Sequence, residues 1–216
     1  MKPPLTNREE AGKLLALRLN AYAQQPEVIV LGLPRGGVPV AFSIAQTLKL
    51  PLDICLVRKL GVPEREELAM GAIATGDVTI INHNIVNSLG VTNEILDQVI
   101  QSERQELQRR EQVYRGDRPY LKLQNQTVIL VDDGIATGST MLAAIQAVNQ
   151  QKPQLIVVAT PIVFASACSQ LQTQISQLIC LIKPKMLYSI SCWYEDFTQV
   201  SDAEVCYYLS QTYLEK

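Results

Sequence analysis

A single histidine, a single tryptophan and three phenylalanines among 216 residues leave little material for several kinds of chemistry. With His83 as the only imidazole, a cysteine–histidine metal site is excluded. The five cysteines (Cys55, Cys168, Cys180, Cys192 and Cys206) are odd in number, scattered and without a C-x-x-C pair. They exclude a disulfide framework and are expected to be reduced core residues of a cytoplasmic protein. Neither sign of charge is in excess: 19 Lys and Arg stand against 21 Asp and Glu, a net charge of -2. That argues against general nucleic-acid binding, which draws on a basic surplus. No apolar run approaches the roughly 20 residues of a membrane span. The stretch from Leu14 to Leu19 is broken by Arg18 and preceded by Arg8, Glu9, Glu10 and Lys13, so no targeting segment is read there. Repeats and low-complexity segments are also missing. With 47% hydrophobic and 19% charged residues, the chain is expected to form one globular domain over residues 1–216.

What is there alternates short apolar runs with helical patterns, the signature of a parallel sheet covered by helices on both faces. Thr6 with Glu9 has the form of a capping box, and Ala11, Leu15, Leu19 and Tyr22 share one helix face behind it. Strands are predicted near 27–33, 52–57, 69–74, 127–132, 154–160 and 177–182, and helices near 38–48, 139–150 and 165–174. Ser201 with Glu204 predicts a further cap for a helix near 202–214. Residues 83–118 break the rhythm as a helical excursion in which Thr92 caps a long helix with a narrow apolar face of Leu96, Ile100, Leu107 and Tyr114. Its arginines (Arg104, Arg109, Arg110, Arg115) are interleaved with glutamates, and Glu106–Arg110 and Glu111–Arg115 have i,i+4 spacing. This describes a solvated face or a subunit contact, with room for a homodimer, rather than a polynucleotide patch.

The most informative stretch is Val128 to Met141, VILVDDGIATGSTM. An apolar strand ends in Asp132 and Asp133, a tight loop runs from Gly134 to Gly138, and Ser139 opens a helix. A glycine-preceded helix N-terminus offers unpaired N–H groups to a phosphate, and Thr137, Ser139 and Thr140 add hydroxyls. Two acids at the strand end can accept hydrogen bonds from vicinal ribose hydroxyls. The loop lacks the lysine of a P-loop, and no G-x-G-x-x-G follows a strand. A phosphatase with Asp132 as nucleophile would place its second acid two residues on, whereas Asp133 is adjacent. A second turn, Leu31 to Ala41 (LGLPRGGVPVA), sets Arg35 beside Gly36 and Gly37, a combination suited to a diphosphate and equally to an ordinary turn.

Residues Val128 to Thr140 resemble the diphosphoribosyl-binding motif of the type I phosphoribosyltransferases. The resemblance implies that family's fold: a parallel sheet of about five to six strands flanked by helices, with a small hood and a mobile lid loop. By the same resemblance, Asp132 and Asp133 hold the ribose hydroxyls of phosphoribosyl diphosphate (PRPP), and Gly134, Ile135, Ala136, Thr137, Gly138, Ser139 and Thr140 wrap its 5-phosphate. Arg35, Gly36 and Gly37 fall where the family binds pyrophosphate, and Arg58 and Lys59, after the second strand, where a basic residue reaches it, Lys59 being the better fit. The lid then spans Pro63, Glu64, Arg65, Glu66 and Glu67. Glu67 is its candidate acceptor-orienting acid or base, although such a charged loop is also simply solvated. A hood over 184–200 carries Trp193, Tyr194 and Phe197, an aromatic platform that stacks on a planar acceptor, unless Trp193 and Phe197 instead pack the C-terminal helix onto the core. Ala136 stands where family members acting on 6-oxopurines carry an acid, so hypoxanthine and guanine are expected to be poor acceptors. The whole chain is similar to stand-alone phosphoribosyltransferases without a named acceptor. It implies transfer of phosphoribosyl from PRPP, with Mg2+ carried by PRPP near Asp132 and Asp133, to a small nitrogenous acceptor. The alternative is a PRPP-sensing regulator without turnover.

Overall fold

The computed structural model describes residues 4–63, 65–76, 78–116, 118–185 and 189–211, without the side chains of Glu66 and Glu67. Its strands are β1 (Val28–Gly32), β2 (Leu52–Ile54), β3 (Val57–Val62), β4 (Arg65–Ala74), β5 (Val78–Ile81), β6 (Thr127–Val131), β7 (Leu155–Ile162) and β8 (Gln177–Ile182). Its α-helices are α1 (Arg8–Arg18), α2 (Gly37–Leu48), α3 (His83–Ser88), α4 (Asn93–Arg115), α5 (Ser139–Gln150), α6 (Ala165–Gln172) and α7 (Asp202–Gln211).

Five strands form one parallel sheet in the order β2-β1-β6-β7-β8. Every residue of β1 and β6 is buried, as expected of apolar runs covered on both faces. One face packs against α1, α2, α4 and α7 through Leu15, Ile44, Leu107 and Val205, and the other against α5 and α6 through Ile145 and Leu171. From β1 the chain crosses by α2 to β2 on one side, and from β6 it crosses by α5 to β7 on the other. The strand order therefore reverses between β1 and β6, and an open parallel sheet has its ligand crevice at the carboxyl ends of such a pair.

The strand predicted at 69–74 belongs elsewhere, because β3, β4 and β5 make a separate antiparallel sheet. The segment expected as a mobile lid loop is the β3–β4 ladder, running from Val57↔Ala74 to Val62↔Arg65 with an irregularity at Gly61. Leu60, Val62, Met70 and Ile73 give this sheet an apolar face buried with Leu96 and Leu107 of α4, which outweighs the charge at its turn. Glu64 lies outside the described residues, and so does the side chain of Glu67.

Caps and ion pairs show similar local shifts. The first helix is capped by Asn7, which accepts from the Glu10 N–H at 2.9 Å, while the Glu10 carboxylate takes the Thr6 N–H at 2.6 Å. The box is thus one residue later than the predicted Thr6–Glu9 pair. Ser201 and Glu204 form the reciprocal box as expected, at 2.8 and 3.2 Å. Glu106 binds Arg110 at 2.8 Å and also Arg109 at 2.7 Å. Arg115 does not pair with Glu111: it is buried, meets Asp53 of β2 at 2.7 Å and lies 4.3 Å over the Tyr120 ring, fastening the end of α4 to the sheet edge.

All five cysteines are free. Cys55 and Cys180 are core residues, and burial with the nearby Asp53 charge pushes the Cys55 thiol up to about 12. Cys192 is exposed, contrary to expectation. Among the described residues no helix is long and apolar enough to cross a membrane.

Candidate active site

The acids Asp132 and Asp133 follow the last residue of β6, at the reversal point, and the Arg35-Gly36-Gly37 turn follows β1 beside them. The two turns touch. A β-carbon on Gly36 would fall 1.9 Å from Oδ2 of Asp133, and one on Gly37 would fall 2.6 Å from the Val131 carbonyl oxygen. These glycines therefore let the first turn lie directly against the acids. Arg35 itself is partly exposed and leans 3.7 Å from Asp202 at the start of α7, a contact too open and long to hold it firmly.

The acids differ in their surroundings. Oδ1 of Asp132 accepts the Asp133 N–H at 2.9 Å, whereas Oδ2 of Asp133 accepts from Nε of Arg8 at 2.8 Å. Both keep some surface open, yet the crowding of protein atoms strips water from the carboxylates and raises both titrations. The neighbouring Asp133 charge pushes Asp132 higher still, while Arg8 opposes the rise at Asp133. Sequence reasoning missed Arg8. It opens α1, and α1 reaches the acids because Gly12 lets it lie against α2, where a β-carbon would meet the Val40 carbonyl at 2.6 Å.

The loop after the acids leads into α5 through Gly138, at φ 82°, which has no side chain to cap the helix. Thr137 and Ser139 bring their hydroxyls within 3.2 Å of each other at this N-terminus, and Thr140 is exposed beside them. Unpaired N–H groups, helix dipole and hydroxyls together suit a phosphate. Ile135 departs from the expectation that it contacts the phosphate. It is buried, its N–H donates to the Ile162 carbonyl at 2.8 Å, and its carbonyl accepts from Phe164, so it anchors the loop to the end of β7. Gly134 abuts Ile190, and Ala136 is partly exposed.

Successive residues of a strand face opposite ways, and this separates Arg58 from Lys59 on β3. Arg58 turns to α4 and binds Glu103 at 2.6 Å, a correction to its expected place on pyrophosphate. Lys59 is exposed and lines a cleft of about 750 Å³, shared with Ser139 at the head of α5 and with His83. The structure thus brings the sole histidine to a cleft beside the phosphate loop, although in sequence it lies outside every site loop.

The hood differs most from its expected form. Trp193 closes a short 3-10 helix (Ile190–Trp193), and Tyr194 pairs with Leu5 of the N-terminal segment. Tyr194 is 3% exposed, stacks 4.9 Å from Phe197 and donates its hydroxyl to the Asp133 carbonyl at 2.7 Å. Burial, with the Asp133 charge, pushes its phenol far up. Tyr194 is therefore a strut under the acids and not a platform open to an acceptor. The indole of Trp193 packs into the same small cluster with Leu5 and Ala11.

The phosphoribosyl transferase domain family matches residues 5–181. A Mycobacterium tuberculosis protein named "Putative phosphoribosyl transferase" is 39% identical over 207 residues, 96% of this chain and 46% of that protein. The chain thus spans about half the length of the curated relatives it matches. The crystal structure of the TT1426 protein from Thermus thermophilus superposes with a TM-score of 0.86 at 34% identity, covering 96% of this chain and 98% of that one. The AQ2163 protein of Aquifex aeolicus shares the fold alone, with a TM-score of 0.52 at 9% identity over 94% of this chain and 86% of its own.

Proposed function

The chain belongs to the phosphoribosyl transferase domain family, with the type I fold, and from that premise we propose that it transfers a 5-phosphoribosyl group from PRPP to a small nitrogenous acceptor, releasing pyrophosphate. The observation that carries this reading is the sequence of groups at the reversal point. Adjacent acids are followed, across one short loop, by hydroxyls gathered at the uncapped start of α5. Their order along the chain suits a sugar and then its phosphate.

Asp132 and Oδ1 of Asp133 accept the ribose hydroxyls, and the start of α5 takes the 5-phosphate. Lys59 and Arg35 receive the charge that grows on the departing diphosphate, while the acids favour the positive charge developing on the ribose ring. Mg2+ prefers one or two carboxylates plus substrate phosphates to a cage of side chains. The pair Asp132 and Asp133 suits that role. The bound ion would neutralise diphosphate charge.

PRPP with Mg2+ should raise the melting temperature, since a ligand at ~100 times its dissociation constant adds ~2.7 kcal/mol, or roughly 5–10 °C for a chain of this size. No shift with millimolar PRPP or ribose 5-phosphate would sink the reading. Pyrophosphate release, measured across purine, pyrimidine and pyridine acceptors, then separates transfer from binding alone. Tight binding without turnover on any of them would favour a regulator. Lys59→Ala should lower turnover about 10²-fold while sparing ribose 5-phosphate affinity, whereas Arg58→Ala should leave turnover within a few-fold. Equal effects of the two substitutions would contradict the division of roles along β3.

A further inference from the structure

Asp133 is the most constrained side chain of the site, and the constraint comes from three distant parts of the chain. Nε of Arg8 donates to its Oδ2 at 2.8 Å, and Nη1 of Arg8 donates to the Thr198 carbonyl at 2.8 Å. The guanidinium lies 3.9 Å over the ring of Phe197, which stacks on Tyr194, whose hydroxyl donates to the backbone of Asp133 itself. On its other side Oδ2 fills the space that a β-carbon of Gly36 would take. The pair is nearly closed to solvent, with side chains 10% and 15% exposed. One oxygen of Asp133 is therefore fixed in place between α1 and the β1 turn.

Resting on the reading of the site as a sugar-phosphate pocket, we propose that Arg8 is a positioning residue for ribose recognition. By pinning Oδ2 it aims Oδ1 of Asp133 at the sugar, so that the pair of acids meets the sugar hydroxyls in one fixed geometry. Without that hold the carboxylate would be free to rotate or to draw in water, and a hydroxyl would lose its acceptor. The contact with Phe197 suits an arginine: the guanidinium lies over the ring while its Nε and Nη1 donate to two separate acceptors. Thus α1 and the hood segment, neither of which holds a motif acid, jointly set the direction of one.

Titration calorimetry with two ligands tests this assignment. Ribose 5-phosphate engages acids and phosphate loop together, whereas inorganic phosphate fills the loop alone. Arg8→Gln should weaken ribose 5-phosphate about 10-fold, the size of one lost well-placed hydrogen bond to a charged group, and leave phosphate affinity within twofold. Equal weakening of both ligands would make Arg8 a general structural brace and overturn the proposal, as would no weakening of either. Circular dichroism checks that the variant is folded. If it is not, Arg8→Lys takes its place, with the ratio of the two affinities expected to fall at least threefold and an unchanged ratio overturning the assignment. Failure of the native protein to bind ribose 5-phosphate would instead overturn the sugar-phosphate reading on which the proposal rests.

Discussion

Asp132→Asn should melt higher than the native protein at pH 8 and Asp133→Asn by less, although both should lose their response to ribose 5-phosphate. The difference follows from the partners. Asp132 sits in crowded protein with the charge of Asp133 next to it, both of which raise its titration. The folded protein then binds that proton more tightly than the unfolded chain does, so Asp132 favours folding fully below the ordinary carboxylate range. The benefit is lost as pH rises through the raised titration. An amide escapes that loss and can still accept the Asp133 N–H, now bound by Oδ1 at 2.9 Å. A gain of ~1 kcal/mol, roughly 2–4 °C, is expected at pH 8 and should shrink toward pH 4. Asp133 carries Arg8, and its neutralisation leaves a nearly buried guanidinium with a weaker partner. Because the titration of Asp133 is itself raised, this cost offsets the gain from neutralisation and leaves a smaller net shift than that of Asp132→Asn. Scanning calorimetry of the two variants between pH 4 and 8 decides the matter. Equal shifts would mean that the two acids are equivalent and that Arg8 distinguishes neither.

That asymmetry also marks how far the sequence could be read. The parallel strands were legible because β1, β6 and β7 are unbroken apolar runs. The phosphate loop was legible because acids, glycines and hydroxyls are consecutive at Asp132 to Thr140. The β3–β4 ladder was not legible because Glu64, Arg65, Glu66 and Glu67 advertise a solvated loop. The residues that order the strands around it (Leu60, Val62, Met70, Ile73) gain their stability from α4, more than twenty positions away. Strand alternation could have separated Lys59 from Arg58, had 57–62 been recognised as a strand. Arg8 carried no local signal at all. It lies 125 positions from Asp133, and only the packing of α1 on α2 brings the two together. The aromatic cluster was seen, but its direction depended on the Leu5 bridge, which a one-dimensional pattern does not contain.

Gly36→Ala should be the most damaging small substitution for ligand binding that still leaves a folded protein. Its backbone, at φ -63° and ψ -29°, is one that alanine adopts without strain, so the whole effect lies in the added methyl. That methyl would stand 1.9 Å from Oδ2 of Asp133 and 2.6 Å from its carboxyl carbon. A free carboxylate would swing aside at little cost, but this one is held at 2.8 Å by Arg8. It must give up either the ion pair or the direction that serves the sugar. Overpacking of this kind costs ~1–3 kcal/mol of stability, and with the acid displaced ribose 5-phosphate affinity should fall ~10²-fold. Gly37→Ala differs, because its methyl would strike the Val131 carbonyl oxygen and the Asp132 α-carbon, which are backbone and cannot swing. It should melt well below Gly36→Ala. In the double variant Gly36→Ala with Arg8→Gln, the acid is already released from its pin, so the losses in ribose 5-phosphate affinity should be far from additive. Calorimetric titration of the two single variants and the double one completes a cycle. Additive losses would show that the methyl and the guanidinium act on different groups, and the shared hold on Asp133 would be disproved.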